Sequence, residues 1–218
     1  ADRGYRLIVT GRREERLKEL SDEVDVEVVI ISGDLSKKKE CFKLLDKLKN
    51  EKIDIFINNA GFGVAGSFLE TDIDREINML KLNDMAMHIL FKGILKKMDA
   101  AGSGYILNVA SSAGLLPAGP YMAGYYASKA YVSSLTRAVA CELKEQGSKV
   151  KVAALCPGPV DTEFNDVADV VFALKGISVQ DCVEAALKGL RKKKTIIVPG
   201  FTMKLAMFVM HLRSEEHT

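Results

Sequence analysis

The sequence has few cysteines, and those few lie far apart. The four include no Cys-x-x-Cys pair; they are Cys41, Cys141, Cys156 and Cys182. This spacing predicts neither a metal site nor a disulfide framework. Because a chain that relies on no disulfide is typical of a reducing compartment, we expect a cytoplasmic protein.

Long hydrophobic runs and an excess of charge of one sign are lacking as well. No apolar run reaches the roughly 20 residues that cross a bilayer, so no membrane span is expected. The 31 basic residues nearly balance the 29 acidic ones, which leaves a formal charge of +2. Because nucleic-acid binding usually requires a strongly basic surface, this balance argues against such a partner and favours a small-molecule substrate.

No proline-, glycine- or serine-rich stretch divides the 218 residues, so a single domain is expected over residues 1–218. Short apolar runs alternate with segments of helical periodicity. The apolar runs predict strands at Tyr5–Thr10, Val26–Ile31, Ile53–Ile57, Tyr105–Val109, Val150–Leu155 and Thr195–Val198. The periodic segments predict helices at Glu14–Glu23, Lys37–Asn50, Asp72–Asp99, Gly124–Glu145 and Ser178–Arg191.

This alternation predicts an α/β fold with a doubly wound, Rossmann-like parallel sheet that helices cover on both faces. Such sheets bind ligands at the carboxyl ends of their strands. They also have their first strand in the centre, here between the strands predicted at Tyr5–Thr10 and Ile53–Ile57. Because residues 1–4 resemble the end of a helix, we expect that first strand and its glycine-rich turn to be missing from the chain.

Tyr125 and Lys129 carry the strongest chemical pattern, since they lie four residues apart at the start of a predicted helix. Positions i and i+4 share one helical face. A cation about 4 Å from a phenol supplies roughly 4 kcal/mol at an effective dielectric of about 20. Lys129 is therefore expected to lower the pKa of Tyr125 toward neutrality, where acid–base catalysis is most efficient. Without further residues, the same pair is typical of a solvated surface.

Ser112 supplies a further residue, thirteen positions before Tyr125 and just after the strand Tyr105–Val109. Its hydroxyl is expected at the carboxyl end of that strand, where it is able to bind a substrate oxygen. A lone serine there would as easily cap a turn, but the joint spacing favours catalysis. Tyr126 is the rival base, and it fits neither interval because it lies three residues from Lys129 and fourteen from Ser112.

Three more segments follow or face strand ends. The strand Ile53–Ile57 leads into Asn58-Asn59-Ala60-Gly61, whose small residues let backbone approach a ligand. Asn83 interrupts an apolar helical pattern, so its amide either kinks the helix or holds a water. The turn Cys156–Thr162 closes the strand Val150–Leu155, and the Thr162 hydroxyl is placed to donate to a cofactor.

Together, the Asn-Asn-Ala-Gly, Ser, Tyr-x-x-x-Lys and Pro-Gly motifs resemble the short-chain dehydrogenase/reductase family, near its 3-oxoacyl reductase-like bacterial branch. The resemblance implies an oxidoreductase in which Tyr125 transfers a proton, Ser112 orients the substrate oxygen and Lys129 binds the nicotinamide ribose. Asn83 matches the family position that holds a proton-relay water. A homodimer or homotetramer is implied as well.

The same resemblance implies the residues that contact the cofactor. Asp34 and Leu35 match the position that contacts the adenine. The other matches follow the strands Ile53–Ile57 and Val150–Leu155 or lie on the catalytic helix; they are Asn59, Ala60, Gly61, Tyr125, Lys129, Pro157, Gly158, Val160 and Thr162.

Arg12 and Arg13 indicate which nicotinamide cofactor is used. They follow the strand Tyr5–Thr10, where an acidic residue would bind the ribose 2′-hydroxyl of NAD. Guanidinium groups instead suit the 2′-phosphate of NADP, which a carboxylate would repel. Although two arginines that open a surface helix are often merely solvated, this place favours NADP (NADPH).

The substrate is expected to be a hydrophobic ketone, aldehyde or acyl group, because apolar residues dominate 62–69, 115–121 and the stretch after Thr162. That stretch carries Phe164, Val167, Val170, Val171, Phe172 and Leu174, which would alternatively form a helical lid on the core. Two other functions stay open. A redox-inactive NADP-binding sensor would be expected to lack Tyr125 or Lys129, and a dehydratase or epimerase usually has a longer substrate domain.

Overall fold

Parallel strands alternate with helices along the chain. The computed structural model describes residues 4–117, 119–162, 176–201, 203–205 and 207. The strands are β1 Leu7–Gly11, β2 Val28–Ser32, β3 Ile55–Asn58, β4 Tyr105–Val109, β5 Lys151–Leu155 and β6 Ile196–Ile197. The helices are α1 Glu14–Glu23, α2 Lys38–Lys47, α3 Ile73–Leu80, α4 Met87–Ala101, α5 Ala123–Glu145 and α6 Val179–Arg191.

Each predicted strand and helix is present, and most bounds shift by a few residues. One prediction needs correction, because the single helix expected at Asp72–Asp99 is interrupted. A π-helical turn, Lys81–Ala86, separates α3 from α4. A short 3₁₀ turn, Ser112–Gly114, follows β4.

The strands form two parallel sheets. One sheet pairs β1 with β2, and the other has the order β3-β4-β5-β6. In the larger sheet Asn58 lies opposite Asn108, and Val109 lies opposite Leu155. No strand among the described residues pairs with both sheets, in agreement with the gap expected between Tyr5–Thr10 and Ile53–Ile57.

The core lies on both faces of the larger sheet. Successive residues of a strand point to opposite faces, so Ile106 packs toward the α2, α4 and α5 side. Leu107 packs on the other side, against Cys182, Ala186 and Leu190 of α6. Ile8 and Ile31 of the smaller sheet pack against the same cluster as Ile106. The fold is therefore a Rossmann-like α/β fold with helices on both faces of a parallel sheet.

Among the helices that the structure describes, none combines the length and apolar character that crossing a membrane requires. The described residues also bring together no group of three histidine, cysteine, aspartate or glutamate side chains that would hold a metal ion.

Candidate active site

The carboxyl ends of β4 and β5 lie side by side and carry the candidate catalytic residues. The Ala110 amide donates to the Leu155 carbonyl at 2.8 Å, and the Ser112 amide donates to the Pro157 carbonyl at 2.7 Å. These bonds continue the pairing of the two strands beyond their ends. The segment after β4 is thereby fixed beside the Pro-Gly turn after β5.

Helix α5 brings Lys129 to the same edge. Its ammonium donates to the Val109 carbonyl, at the end of β4, at 3.0 Å. The 3₁₀ turn packs directly on α5, because a Cβ on Gly114 would lie 2.2 Å from the Lys129 carbonyl oxygen. Glycine at position 114 therefore permits this close approach.

Tyr125 is buried one helical turn before Lys129, with 7% of its surface exposed. The Lys129 ammonium lies 5.8 Å from the centre of the Tyr125 ring. The expectation that the pKa of Tyr125 lies near neutrality is wrong for this structure. Burial, which disfavours the phenolate, raises the pKa of Tyr125 to about 12, and a hydrogen bond with Ser111 opposes this rise only in part.

The Ser111 side chain, one residue before the predicted Ser112, forms a hydrogen bond with Tyr125. Ser111 is extended, with φ −167° and ψ 161°, and its hydroxyl accepts from the Ala113 amide at 3.1 Å. Ser112 is the first residue of the 3₁₀ turn and is itself buried. The turn after β4 thus carries both serines, and the role expected of Ser112 stays a prediction. The spacing gave no signal for the contact between Ser111 and Tyr125.

The π-helical turn presents Asn83 to the active site. Its amide oxygen accepts from the Phe62 amide at 3.1 Å, and its amide nitrogen donates to the Phe62 carbonyl at 2.9 Å and to Ser128 Oγ at 3.1 Å. A Cβ on Gly61 would lie 2.9 Å from Asn83 Oδ1 and 3.4 Å from Lys129 Nζ. The Asn83 amide oxygen and the Lys129 ammonium therefore both lie next to Gly61. The bonds from Asn83 to Phe62 and Ser128 occur where the helix is interrupted.

Asp84, the residue after Asn83, was not singled out from the sequence. Burial raises the pKa of Asp84 to about 6, which the Lys129 ammonium opposes. Burial likewise lowers the pKa of Lys129 to about 8, and the Asp84 carboxylate opposes that change. A polar residue inside an apolar helical pattern was the available signal, and it was applied to Asn83 and not to the adjacent Asp84.

A second polar group lies beneath the site, inside the larger sheet. Asn58 Nδ2 donates to the Met87 carbonyl at 3.3 Å and to Asn108 Oδ1 at 3.0 Å. Asn108 Nδ2 donates to Thr136 Oγ1 at 2.9 Å, and Thr136 bonds in turn to the Val132 carbonyl at 2.7 Å. This chain of bonds ties β3 and β4 to the start of α4 and to α5. None of its members besides Asn58 was noted from the sequence.

The predicted adenosine-binding residues lie at the carboxyl edge of the smaller sheet. Arg12 and Arg13 follow β1 and are exposed, and Arg13 precedes the first residue of α1. Beside them, Asp34 Oδ1 accepts from Ser36 Oγ at 2.7 Å, which with the nearby Arg12 keeps the pKa of Asp34 low. Leu35 is buried in the core. The structure thus brings the arginine pair and Asp34 to one edge.

The other predicted cofactor residues follow β3 and β5. Asn59 and Ala60 are exposed, whereas Pro157 and Gly158 are half-buried. Val160 pairs with Ile177, and Thr162 Oγ1 lies 3.5 Å from the Val160 carbonyl oxygen.

Apolar side chains surround Tyr125. The buried members are Val64, Met79, Ala113 and Met122, and the half-buried members are Phe62, Ala65 and Tyr126. The two predicted pocket segments meet here, because the Gly66 amide donates to the Tyr121 carbonyl at 2.8 Å. The six apolar residues predicted after Thr162 lie in 163–175, outside the described residues.

The chain is similar to known proteins in sequence and in fold. A family model described as short chain dehydrogenase matches residues 1–169. An uncharacterized oxidoreductase of Staphylococcus saprophyticus is 31% identical over 212 residues, which cover 94% of this chain and 88% of that protein.

Solved structures match over nearly the whole chain. A short-chain dehydrogenase from Sphingobium yanoikuyae in complex with NADPH has 26% identity and a TM-score of 0.84, with 98% of this chain and 85% of that chain covered. A short-chain dehydrogenase/reductase from Burkholderia phymatum in complex with NAD shares the fold, with 22% identity and a TM-score of 0.86 over 97% of this chain and 86% of that chain. With the family model, the relative and the fold in agreement, the chain belongs to the short-chain dehydrogenase family of oxidoreductases.

Proposed function

We propose that this protein interconverts a carbonyl and an alcohol by hydride transfer with NADP(H), with Tyr125 as the general acid and base. The hydrogen bond between Ser111 and Tyr125, beside the buried Lys129, is the observation that carries the proposal. It brings two hydroxyl groups next to each other near the carboxyl end of β4. A carbonyl oxygen at that position would be able to accept from both.

Tyr125 serves as the proton donor in the reducing direction. With its pKa raised to about 12, the phenol keeps its proton at neutral pH and is available to transfer it to the substrate oxygen. The Ser111 hydroxyl is placed to stabilise the negative charge that develops on that oxygen. We therefore assign to Ser111 the role of orienting the substrate oxygen, which was expected for Ser112.

Lys129 and Asn83 support the proton donor. The Lys129 ammonium faces the Tyr125 ring and stabilises the phenolate that remains after proton transfer. Asn83 fixes the Phe62 backbone and Ser128, and it therefore sets the position of the segment after Gly61 relative to α5.

The residues present fit a nicotinamide dinucleotide. The absence of a Cβ at Gly61 lets the backbone after β3 lie close to the Asn83 amide and the Lys129 ammonium, the group proposed to bind the nicotinamide ribose. Arg12 and Arg13 offer cationic donors for a 2′-phosphate at the edge of β1. NADPH, when bound, supplies the hydride that reduces the carbonyl carbon.

The apolar residues around Tyr125 support a hydrophobic ketone, aldehyde or acyl group as the substrate. We also retain the homodimer or homotetramer implied by the family, which light scattering on the purified protein will measure. The four free cysteines, one of them the exposed Cys141, support a reducing, cytoplasmic location.

The proposal is tested by following NADPH oxidation at 340 nm with a panel of apolar ketones, aldehydes and acyl thioesters. We expect turnover by the wild-type protein, and at least a hundredfold lower kcat with Tyr125→Phe, because the phenylalanine lacks the transferable proton. Tyr126→Phe is the matched control and should retain activity.

The same experiment separates the enzyme from a redox-inactive sensor. NADPH binding by fluorescence is measured beside turnover. Tight NADPH binding with no turnover on any substrate would favour the sensor, and equal activity of Tyr125→Phe and Tyr126→Phe would contradict the assignment of Tyr125.

A further inference from the structure

Asp84 stands out because one of its carboxylate oxygens is buried without a hydrogen-bond partner. Among the described residues, Asp84 Oδ1 is the buried side-chain oxygen or nitrogen that none of them satisfies. Leaving a buried carboxylate oxygen unpaired costs free energy, so such an atom calls for an explanation. Neither the fold nor the proposed reaction has so far supplied one.

The π-helical turn explains how Asp84 comes to lie near the catalytic lysine. The turn packs against α5, and Asn83 within it bonds to Ser128, the residue before Lys129. The Asn83 amide oxygen and the Lys129 ammonium also both lie next to Gly61. Asp84 is the next residue of this turn, which packs against the helix that carries Lys129, and the charges of the two groups act on each other.

The other groups around Asp84 do not neutralise it. A cleft of about 520 Å³ is bordered by Asp84 together with His88 on α4, Tyr131 on α5 and Lys38 on α2. His88 Nδ1 and the Tyr131 hydroxyl lie 2.5 Å apart and therefore satisfy each other. Lys129, on the buried side, is the cation whose charge the Asp84 carboxylate affects.

Lys129 has few other sources of negative charge. Its ammonium donates to the Val109 carbonyl, which is neutral, and the buried thiol of Cys156 holds its proton because burial raises its pKa to about 12. The Tyr125 phenol is also neutral at pH 7. A buried ammonium in such surroundings tends to lose its proton unless a counter-ion stabilises it.

We propose that Asp84 is a positioning residue for the reaction: its carboxylate is the counter-ion that keeps the buried Lys129 in its ammonium form at neutral pH. The inference rests on the proposed function, in which the Lys129 ammonium stabilises the Tyr125 phenolate. This role accounts for the buried Asp84 oxygen that has no hydrogen-bond partner, because the negative charge of the carboxylate acts on Lys129 through space. Between about pH 6 and pH 8 both groups of the pair are charged.

The experiment is a titration of Lys129 in the intact protein by NMR, with lysine labelled at ¹³Cε and ¹⁵Nζ. The Lys129→Arg variant assigns the resonance. Removal of a neighbouring negative charge destabilises the ammonium, so Asp84→Asn should lower the pKa of Lys129 by about one unit. Asp84→Glu should restore most of the wild-type value, and thermal unfolding checks that each variant is folded.

Asp54→Asn is the matched control, since Asp54 is an exposed carboxylate 3.3 Å from Lys52. It should leave the Lys129 titration unchanged. The pH profile of kcat/KM adds a second measurement: the loss of activity at high pH should begin about one unit lower in Asp84→Asn than in the wild type.

The proposal would be overturned if the pKa of Lys129 were the same, within about 0.2 pKa units, in the wild type, Asp84→Asn and Asp54→Asn. The titration needs neither substrate nor turnover. A protein that reduces no carbonyl but whose Lys129 titration shifts would therefore refute the proposed function and leave the ion pair standing.

Discussion

At the residue scale, the environment of Tyr125 determines its protonation state at neutral pH. Burial makes the phenol a weaker acid than in water, and Ser111 and Lys129 are the neighbours able to stabilise its anion. A neutral phenol at the site of a carbonyl oxygen favours proton donation. This protonation state fits the proposed role of Tyr125 as proton donor to a carbonyl oxygen.

The pattern Tyr-x-x-x-Lys placed Tyr125 and Lys129 correctly on one helical face, since that depends only on the period of the helix. The choice between Ser111 and Ser112 did not follow from the spacing. The loop before α5 is able to accommodate a difference of one residue. The burial that sets the pKa of Tyr125 comes from residues far away in the sequence, such as Met79 and Val64.

The serine pair provides a residue-scale prediction. Ser111→Ala should lower kcat/KM at least tenfold, because it removes the hydroxyl that bonds to Tyr125, whereas Ser112→Ala should change kcat/KM less than threefold. Steady-state kinetics on any accepted carbonyl measure both. The reverse order would restore the assignment that the thirteen-residue interval gave.

At the scale of elements, the interruption of the helix over residues 73–101 is the feature that shapes the site. The apolar periodicity continues through Lys81–Ala86, so the sequence predicts one helix there. The bonds from Asn83 to Phe62 and Ser128 join the turn to two other segments, and the turn has π-helical geometry. Such tertiary bonds override local periodicity and are not visible in it.

The Asn58–Asn108–Thr136 chain of hydrogen bonds provides a prediction at this scale. Asn108→Leu removes the oxygen to which the buried Asn58 amide donates at 3.0 Å and leaves the longer bond to the Met87 carbonyl, so we expect a loss of about 2–3 kcal/mol in the free energy of unfolding. Urea denaturation followed by circular dichroism measures it. Ser134→Ala on α5, outside this chain, is the control, and a loss below about 0.5 kcal/mol for Asn108→Leu would mean that the chain adds little stability.

At the scale of the whole molecule, many candidate residues follow the carboxyl ends of parallel strands, β1 in the smaller sheet and β3, β4 and β5 in the larger one. Because the strands are parallel, the ends of β1, β3, β4 and β5 carry the arginine pair, the Asn-Asn-Ala-Gly segment, Ser111 and the Pro-Gly turn. The alternation of strands and helices predicted this arrangement from the sequence. The separation of β1 and β2 from the larger sheet agrees with the gap that the sequence predicted.

The arginine pair tests the choice of cofactor. Arg12→Ala/Arg13→Ala should weaken NADPH binding about 10- to 100-fold, through the loss of charge-assisted hydrogen bonds to the 2′-phosphate, and should leave NADH binding nearly unchanged. Fluorescence titration of both cofactors measures the difference. Lys188→Ala/Arg191→Ala on α6 removes the same charge elsewhere. Equal losses for NADPH and NADH would contradict the assignment of NADP.

In the proposed reaction, Tyr125 protonates a carbonyl oxygen while the cofactor delivers hydride to its carbon. The most direct measurement uses NADPH deuterated at both C4 positions and mass spectrometry of the alcohol formed from an apolar ketone. We predict one deuterium on the carbinol carbon with the wild-type protein and almost no labelled product with Tyr125→Phe. An alcohol without deuterium, or equal labelling by wild type and Tyr125→Phe, would contradict the account.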